Sequence, residues 1–500
     1  MIVMEKFKYS LMRLMVGSFC LILLVTGCKK EALEKIPTSR VSTETVFAIT
    51  ENAYAAINGM HRYLYRQWYS RQAEGGQSGN MIYMDVLGED LVMTANGNGW
   101  FISEYKWLSH RDVNSAMVRF NYGFYYALIG NANQIIVNID NAVGPDADKN
   151  FLKAQALTYR AWSYFQMVQL YGERYERGGD NSGLGVSLIT EPIEGAVPRN
   201  TVEEVYTQIN MDLDQAIFLF ADAVSRPDKS HLNVNVAKGI KARVALTQQD
   251  YPVAAQFARE AREGYPLMSQ SEYLAGFSDL SNDEWIWGIE HREDQPTYFY
   301  SFFAYLGNFS STNTRGNPKA INSELYDEIS DTDVRKELWD PTGEDADFPV
   351  VDGGIRMPYM TRKFMLANPG NSNGDLAFMR AAEMYLIEAE ALARDGQDGD
   401  AADVLYELAT NRDDEYVQST NTGQALIDEI LIQRRVELWA EGFRFYDLKR
   451  LNLPLDRTGA NHIASLAVKL TEPVGTRNWQ FLIPQAELDY TLGVVVQNPI

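Results

Sequence analysis

Two runs near the C-terminus decide the fold: FMRAAEMYLIEAEALARDGQDGDAADVLYELATNR at residues 378–412 and DEILIQRRVELWAEGFRFYDLKRLN at residues 428–452. In the first, Ala382, Leu386, Ala389 and Ala393 recur at helical spacing, a small apolar face on which a second helix can pack closely. Arg380, Glu383, Glu390 and Arg394 are polar, and the i,i+4 pair Glu390–Arg394 predicts that they form an exposed face. Gly396 can end that helix in a left-handed turn, and Asp400 can cap the next, which turns Val404, Leu405 and Leu408 inward. A third helix is predicted over residues 424–441. It leads into Glu441-Gly442-Phe443-Arg444-Phe445-Tyr446-Asp447-Leu448.

Working outward, small residues repeat at helix-stacking intervals. Ala237, Ala242, Ala245, Leu246, Asp250, Tyr251, Ala254, Ala255, Ala258 and Ala261 are spaced like a tetratricopeptide unit. Helical pairs are expected near residues 112–171, 202–262 and 379–441, with Ala154, Leu157, Ala161 and Met167 as one buried stripe. An earlier helix starts at Ser42 or Thr43 and runs through Ala53, Ile57 and Met60 to Tyr65, and residues 284–290 alternate like a strand.

Two segments break this pattern. Residues 67–110 are rich in Gly and Asn and interleaved with rings, among them Trp68, Trp100 (in Asn96-Gly97-Asn98-Gly99-Trp100) and Trp107. Residues 298–305 hold six rings, including Tyr298, Tyr300 and Tyr305, followed by Asn308, Asn313 and Arg315. Six rings in eight residues cannot all enter one core from a regular element. Long irregular segments in a compact chain are usually functional. Rings on such loops either stack on the apolar face of a sugar or pin the loop to the helices.

The N-terminus has Lys6, Lys8 and Arg13 ahead of a 12-residue apolar run at 14–25, too short to span a bilayer as a helix, then Val25-Thr26-Gly27-Cys28. That ending looks like a lipobox, in which diacylglycerol alkylates the Cys28 thiol and residues 1–27 are removed. Acylated Cys28 would anchor the chain without a spanning helix. About ten residues separate Cys28 from the fold, a reach of about 35 Å when extended. The net charge of −22 argues against nucleic acid and anionic membrane surfaces as partners. Both cysteines, Cys20 and Cys28, precede the folded part, so no disulfide framework is expected.

The C-terminal runs also carry Arg380, Ala382-Glu383, Tyr385-Leu386 and Ala389-Glu390-Ala391, then Arg434, Glu437-Leu438, Glu441-Gly442, Arg444, Asp447-Leu448 and Arg450. This pattern resembles the signature of the SusD/RagB family of outer-membrane nutrient-binding lipoproteins. The ending Ile483-Pro484-Gln485-Ala486-Glu487-Leu488 and Gln497-Asn498-Pro499 is similar to the family's too. Gln433 stands where the family usually has Glu, and Asn411-Arg412 is followed by Asp413, departures that would weaken a local ion pair. Asp331, Asp333 and Arg335 and the strand Arg362-Lys363-Phe364 match family motifs of structural character.

The resemblance implies a mostly α fold: a scaffold of tetratricopeptide-like hairpins, long irregular loops and a few short strands. Residues 28–225 would form the N-terminal region and 226–500 the C-terminal region of one fold. It further implies that the two aromatic segments face each other over a glycan site. The expected ligand-binding residues are Trp100, Trp68, Trp107, Tyr298, Tyr300, Tyr305, Asn308 and Arg315. The expected partners are an oligosaccharide and a TonB-dependent transporter of the SusC type, in the outer membrane and facing the cell exterior. No catalysis, cofactor or metal is expected: five scattered histidines lack zinc spacing, and Asp395, Asp398 and Asp400 lack the ligand pattern of a calcium loop. Two alternatives stand beside capture. One is an interaction scaffold built from the hairpins. The other is a surface glycosidase, which would draw two carboxylates from Asp85, Glu89, Asp90 and Glu104.

Overall fold

The structure is a computed structural model that describes residues 42–292, 294, 297–308, 312–366 and 372–500; the side chains of Tyr298 and Thr312 are outside the description. The signal segment, Cys28 and the stretch leading to Pro37 lie outside the described residues.

Eleven helices organise the fold: α1 (Thr50–Tyr63), α2 (Gln77–Val86), α3 (Ala116–Asn138), α4 (Asp146–Tyr171), α5 (Val202–Phe220), α6 (Val234–Thr247), α7 (Tyr251–Ala261), α8 (Ala381–Arg394), α9 (Asp398–Arg412), α10 (Gln424–Glu437) and α11 (Arg444–Leu451). Neighbours in sequence pack as hairpins, α3 with α4, α6 with α7 and α8 with α9, and α7 also lies along α8. The start signals are local. Ser115 Oγ accepts from Val118 N, Thr201 and Glu204 form a capping box, and Asn233 caps α6. Ser42 does cap a helix, but only the single turn Thr43–Val46; the chain breaks before α1 begins.

Among the described residues, eight short strands complete the fold: β1 (Leu91–Met93), β2 (Trp285–Ile289), β3 (Lys319–Ile321), β4 (Trp339–Asp340), β5 (Met360–Thr361), β6 (Leu376–Arg380), β7 (Leu455–Asp456) and β8 (Thr471–Glu472). β2 pairs with β6 and β7 with β8, both antiparallel, and the remaining four form one antiparallel sheet in the order β1-β3-β5-β4. β2 is buried along its whole length despite its alternating sequence.

Two expectations about the signature helices are corrected. Asp400 is not a cap: α9 already starts at Asp398, whose Oδ2 accepts from Gly423 N at 3.0 Å. The polar side of α8 is not exposed either. Glu383, Glu388 and Glu390 are all buried. Arg243 of α6 holds Glu383 at 2.6 Å, Arg262 beyond α7 holds Glu388 at 2.8 Å, and Arg450 of α11 grips Glu390 with two bonds of 2.7 Å. α8 is therefore a core helix whose carboxylates point at three neighbours.

A buried charge network closes the centre. Glu437 takes Arg380 Nη1 at 3.0 Å, Arg412 Nη2 at 3.1 Å and Arg335 Nη1 at 3.3 Å, while Glu441 takes Arg380 Nη2 at 2.8 Å and Lys363 Nζ at 2.7 Å. Glu284 completes it beside Arg380 and Arg412, and Asp333 beside Arg335. Burial raises the Glu437 carboxyl, but Arg412, Arg380 and Arg335 more than offset this and hold it well below the carboxylate range. Both family motifs of expected structural character end here, at Arg335 and at Lys363. Gln433 supplies a neutral amide oxygen to Arg335, which already has two carboxylates.

Candidate glycan-binding site

The Gly/Asn loop and the aromatic segment meet. β1 pairs with β3 beneath them, in register Leu91 to Ile321 and Met93 to Lys319. Above the ladder, Thr94 Oγ1 donates to Pro318 O at 2.7 Å and Ala95 N donates to Asn317 Oδ1 at 3.1 Å. Gly97 has φ +50°, and a Cβ there would lie 2.8 Å from Asn317 Cβ, so both the backbone conformation and the close approach require glycine. The loop thus delivers Trp100 to a ring-to-ring distance of 6.3 Å from Phe299, edge to face at 72°. Trp100 is half-buried and Phe299 is 55% exposed, so both rings keep open surface.

Tyr300 is half-buried beside this pair; its carbonyl lies over Gly75, where a Cβ would approach to 2.2 Å. Arg315 is exposed, and its backbone carbonyl accepts from Ile355 N at 2.9 Å. Trp68 is half-buried: its indole N–H donates to Tyr63 O at 3.1 Å, with Phe124 at 5.3 Å on one side. It holds the loop to α3 more than it faces outward.

Three expected ligand contacts are corrected. Trp107 is 4% exposed, donates to Leu87 O at 2.8 Å and packs 5.0 Å from Trp479. Tyr305 is 1% exposed, its ring 4.5 Å from Phe101, with the Lys319 ammonium 4.0 Å over its face. Asn308 is buried and clamps the sheet: its amide donates to Lys319 O and Thr361 O at 3.1 and 2.8 Å, and its oxygen accepts from Lys319 N at 2.8 Å. Their ring and amide chemistry serves the platform under the site. The side chain of Tyr298 lies outside the described residues.

Phe299 was missed. The density of rings at 298–305 announces that one must face outward. A tyrosine is the expected choice because its hydroxyl can bond a ligand, whereas the backbone turns a phenylalanine out.

The carboxylates a glycosidase would use are engaged. Asp85 accepts from Gly442 N at 2.6 Å, Asp90 takes Arg435 Nη2 at 2.6 Å, and Glu89 takes Arg444 Nε at 3.0 Å. They bind the N-terminal loop to the C-terminal signature. Glu104 is half-buried, and burial pushes its carboxyl up.

Residues 302–500 match the model of the SusD family, and residues 32–246 match a model described as starch-binding associating with outer membrane. This chain belongs to the SusD family. Its likeness to SusD-like protein P2 of Formosa agariphila is 26% identity over 526 aligned positions, 96% of this chain and 98% of that one. A SusD-like protein of Bacteroides ovatus is 23% identical over 65% of this chain. Among solved structures, a SusD-like carbohydrate binding protein from Bacteroides vulgatus superposes with TM-score 0.78 at 26% identity, over 89% of this chain and 97% of that one. A laminarin binding SusD-like protein superposes with TM-score 0.66 at 23% identity, over 90% and 99%. In this SusD-family chain the signature carboxylates and arginines are therefore the buried network described above, and the loops that meet at Trp100 and Phe299 are set upon it.

Proposed function

We propose that the protein is an outer-membrane lipoprotein, anchored through Cys28 and facing the cell exterior, that captures an oligosaccharide and passes it to a SusC-like TonB-dependent transporter without cleaving it. The observation that carries the reading is the meeting of two distant loops to present Trp100 and Phe299 as adjacent, partly open rings. Aromatic faces bind the apolar side of a sugar ring, while nearby polar groups bond its hydroxyls. Membership of the SusD family and likeness to a carbohydrate binding relative support a glycan as the ligand. The name of the matched family model supports outer-membrane association. Capture without hydrolysis fits the engagement of Asp85, Glu89 and Asp90 in the fold.

Calorimetric titration with oligosaccharides, each mixture assayed for new reducing ends, tests this. Binding without cleavage that is weakened at least tenfold in Trp100→Ala is expected. New reducing ends would replace capture by hydrolysis, and an unchanged affinity in Trp100→Ala would move the site elsewhere.

A further inference from the structure

We propose that the captured oligosaccharide is acidic, bearing uronate carboxylates or sulfate esters, and that Arg62 and Arg66 read its charge. The inference rests on the capture reading and names the ligand class for the same site.

The chain holds 67 acidic and 45 basic residues, so an arginine with no carboxylate needs a reason. Arg457, buried without a paired carboxylate, donates instead to the backbone carbonyls Val86 O, Gly88 O and Tyr105 O. Arg62 and Arg66 have neither. Among the described residues their guanidinium groups take part in no ion pair and donate no hydrogen bond, and Arg62 Nη1 and Arg66 Nε are buried without a partner. Ring faces hold them instead. Arg62 lies 4.4 Å over Tyr65, and Arg66 lies 4.2 Å over Tyr63 and 4.5 Å over Trp68. Stacking satisfies the flat face of a guanidinium and leaves its in-plane N–H groups, the ones that make paired bonds to an oxyanion, unused.

A chain of contacts leads from Arg62 and Tyr65 towards the Trp100–Phe299 surface. Tyr65 lies 6.2 Å from His291, which bonds Thr297 at 2.9 Å, and Tyr300 N donates to Thr297 O at 3.1 Å, one residue from Phe299. Arg119, 4.3 Å over Tyr69, is paired with Glu74 at 3.5 Å and is not part of the unpaired set. Among the described residues, the nearby carboxylates make no ion pair with Arg62 or Arg66. Glu74 is buried, accepts from Ser70 N and Arg71 N and pairs with Arg119, while Glu290 has Arg292 at 3.6 Å and the exposed Asp294 lies with them in range of Tyr65. A net charge of −22 repels a polyanion at long range, so a local set of unsatisfied guanidiniums is what would let one dock.

The test is calorimetry of the full mature chain with three probes of equal length: an oligogalacturonate, a sulfated galactan oligosaccharide and a neutral β-glucan oligosaccharide. At low salt, one acidic probe is expected to bind at least tenfold more tightly than the neutral one and to weaken as salt rises. Which acidic probe wins identifies carboxylate or sulfate. Arg62→Gln and Arg66→Gln should each weaken that probe about tenfold, with melting temperatures near the parent's, while leaving the neutral probe unaffected. Trp100→Ala should weaken every probe that binds. Neutral binding equal to or tighter than acidic binding, and lost in Trp100→Ala, overturns the acidic ligand and leaves capture standing. Silence towards all three probes counts against both. If an arginine variant does not fold, the salt dependence and the acidic-to-neutral ratio of the parent decide.

Discussion

Trp100 and Trp107 share a residue type and a loop, and they should respond to alanine in opposite ways. Trp107→Ala removes a ring packed among Phe445, Trp479 and His110 and should cost about 3–5 kcal/mol in urea unfolding. Trp100→Ala should leave stability within about 1 kcal/mol and abolish most ligand affinity. Stability loss at both positions, with affinity untouched, would return Trp100 to the scaffold. The buried histidines set a pH dependence. Burial pushes His110 down to about 3 and His462 down to about 4, whereas in the unfolded chain both titrate near 6.5. The unfolded state then binds the extra protons, so stability is full above 6.5 and falls as pH drops towards 4. Each histidine should remove about 2 kcal/mol by pH 5. Urea midpoints at pH 7.5 and 5.0 measure this. Histidine ring resonances that titrate near 6.5 in the folded protein would refute it.

The signature's Glu-Gly pair owes its chemistry to the elements it joins. Gly442 has φ +90°, its N–H goes to Asp85, and a Cβ there would come within 2.9 Å of the Met81 backbone in α2. Gly442→Ala should therefore cost about 2 kcal/mol or more, through strain and through loosening of α2 from α11. Glu437→Ala leaves three buried guanidiniums short of a carboxylate and should cost about 3–5 kcal/mol, while a neutral pair elsewhere on the surface would be silent. Thermal unfolding of the two variants measures both losses. The helical hairpins were legible because apolar spacing and caps are local: Val202–Phe220, Val234–Thr247 and Tyr251–Ala261 fill the helical stretch read over residues 202–262. The polar face of α8 was misread because Arg243, Arg262 and Arg450 reach it from elsewhere in the chain, and i,i+4 spacing cannot distinguish a solvated carboxylate from one gripped by a remote arginine.

At the scale of the molecule, the proposed anchor and the net charge of −22 frame the capture reading. Cys28→Ser should move the protein from the membrane fraction to the soluble one and abolish incorporation of labelled fatty acid. Retention in the membrane would assign anchoring to another segment. The sequence by itself determined the family, the helical scaffold and the two loops to examine, because periodicity, capping and the spacing of signature charges are properties of near neighbours. Only the tertiary structure decided which rings face outward. Trp107, Tyr305 and Asn308 share composition and loop context with Trp100 and Phe299, and they differ only in which distant elements cover them. Only the structure, too, distinguished the arginines satisfied by carbonyls from Arg62 and Arg66, held on ring faces with their donors unused. Burial and pairing are set by which elements fold over a residue, and neither residue type nor periodicity encodes that.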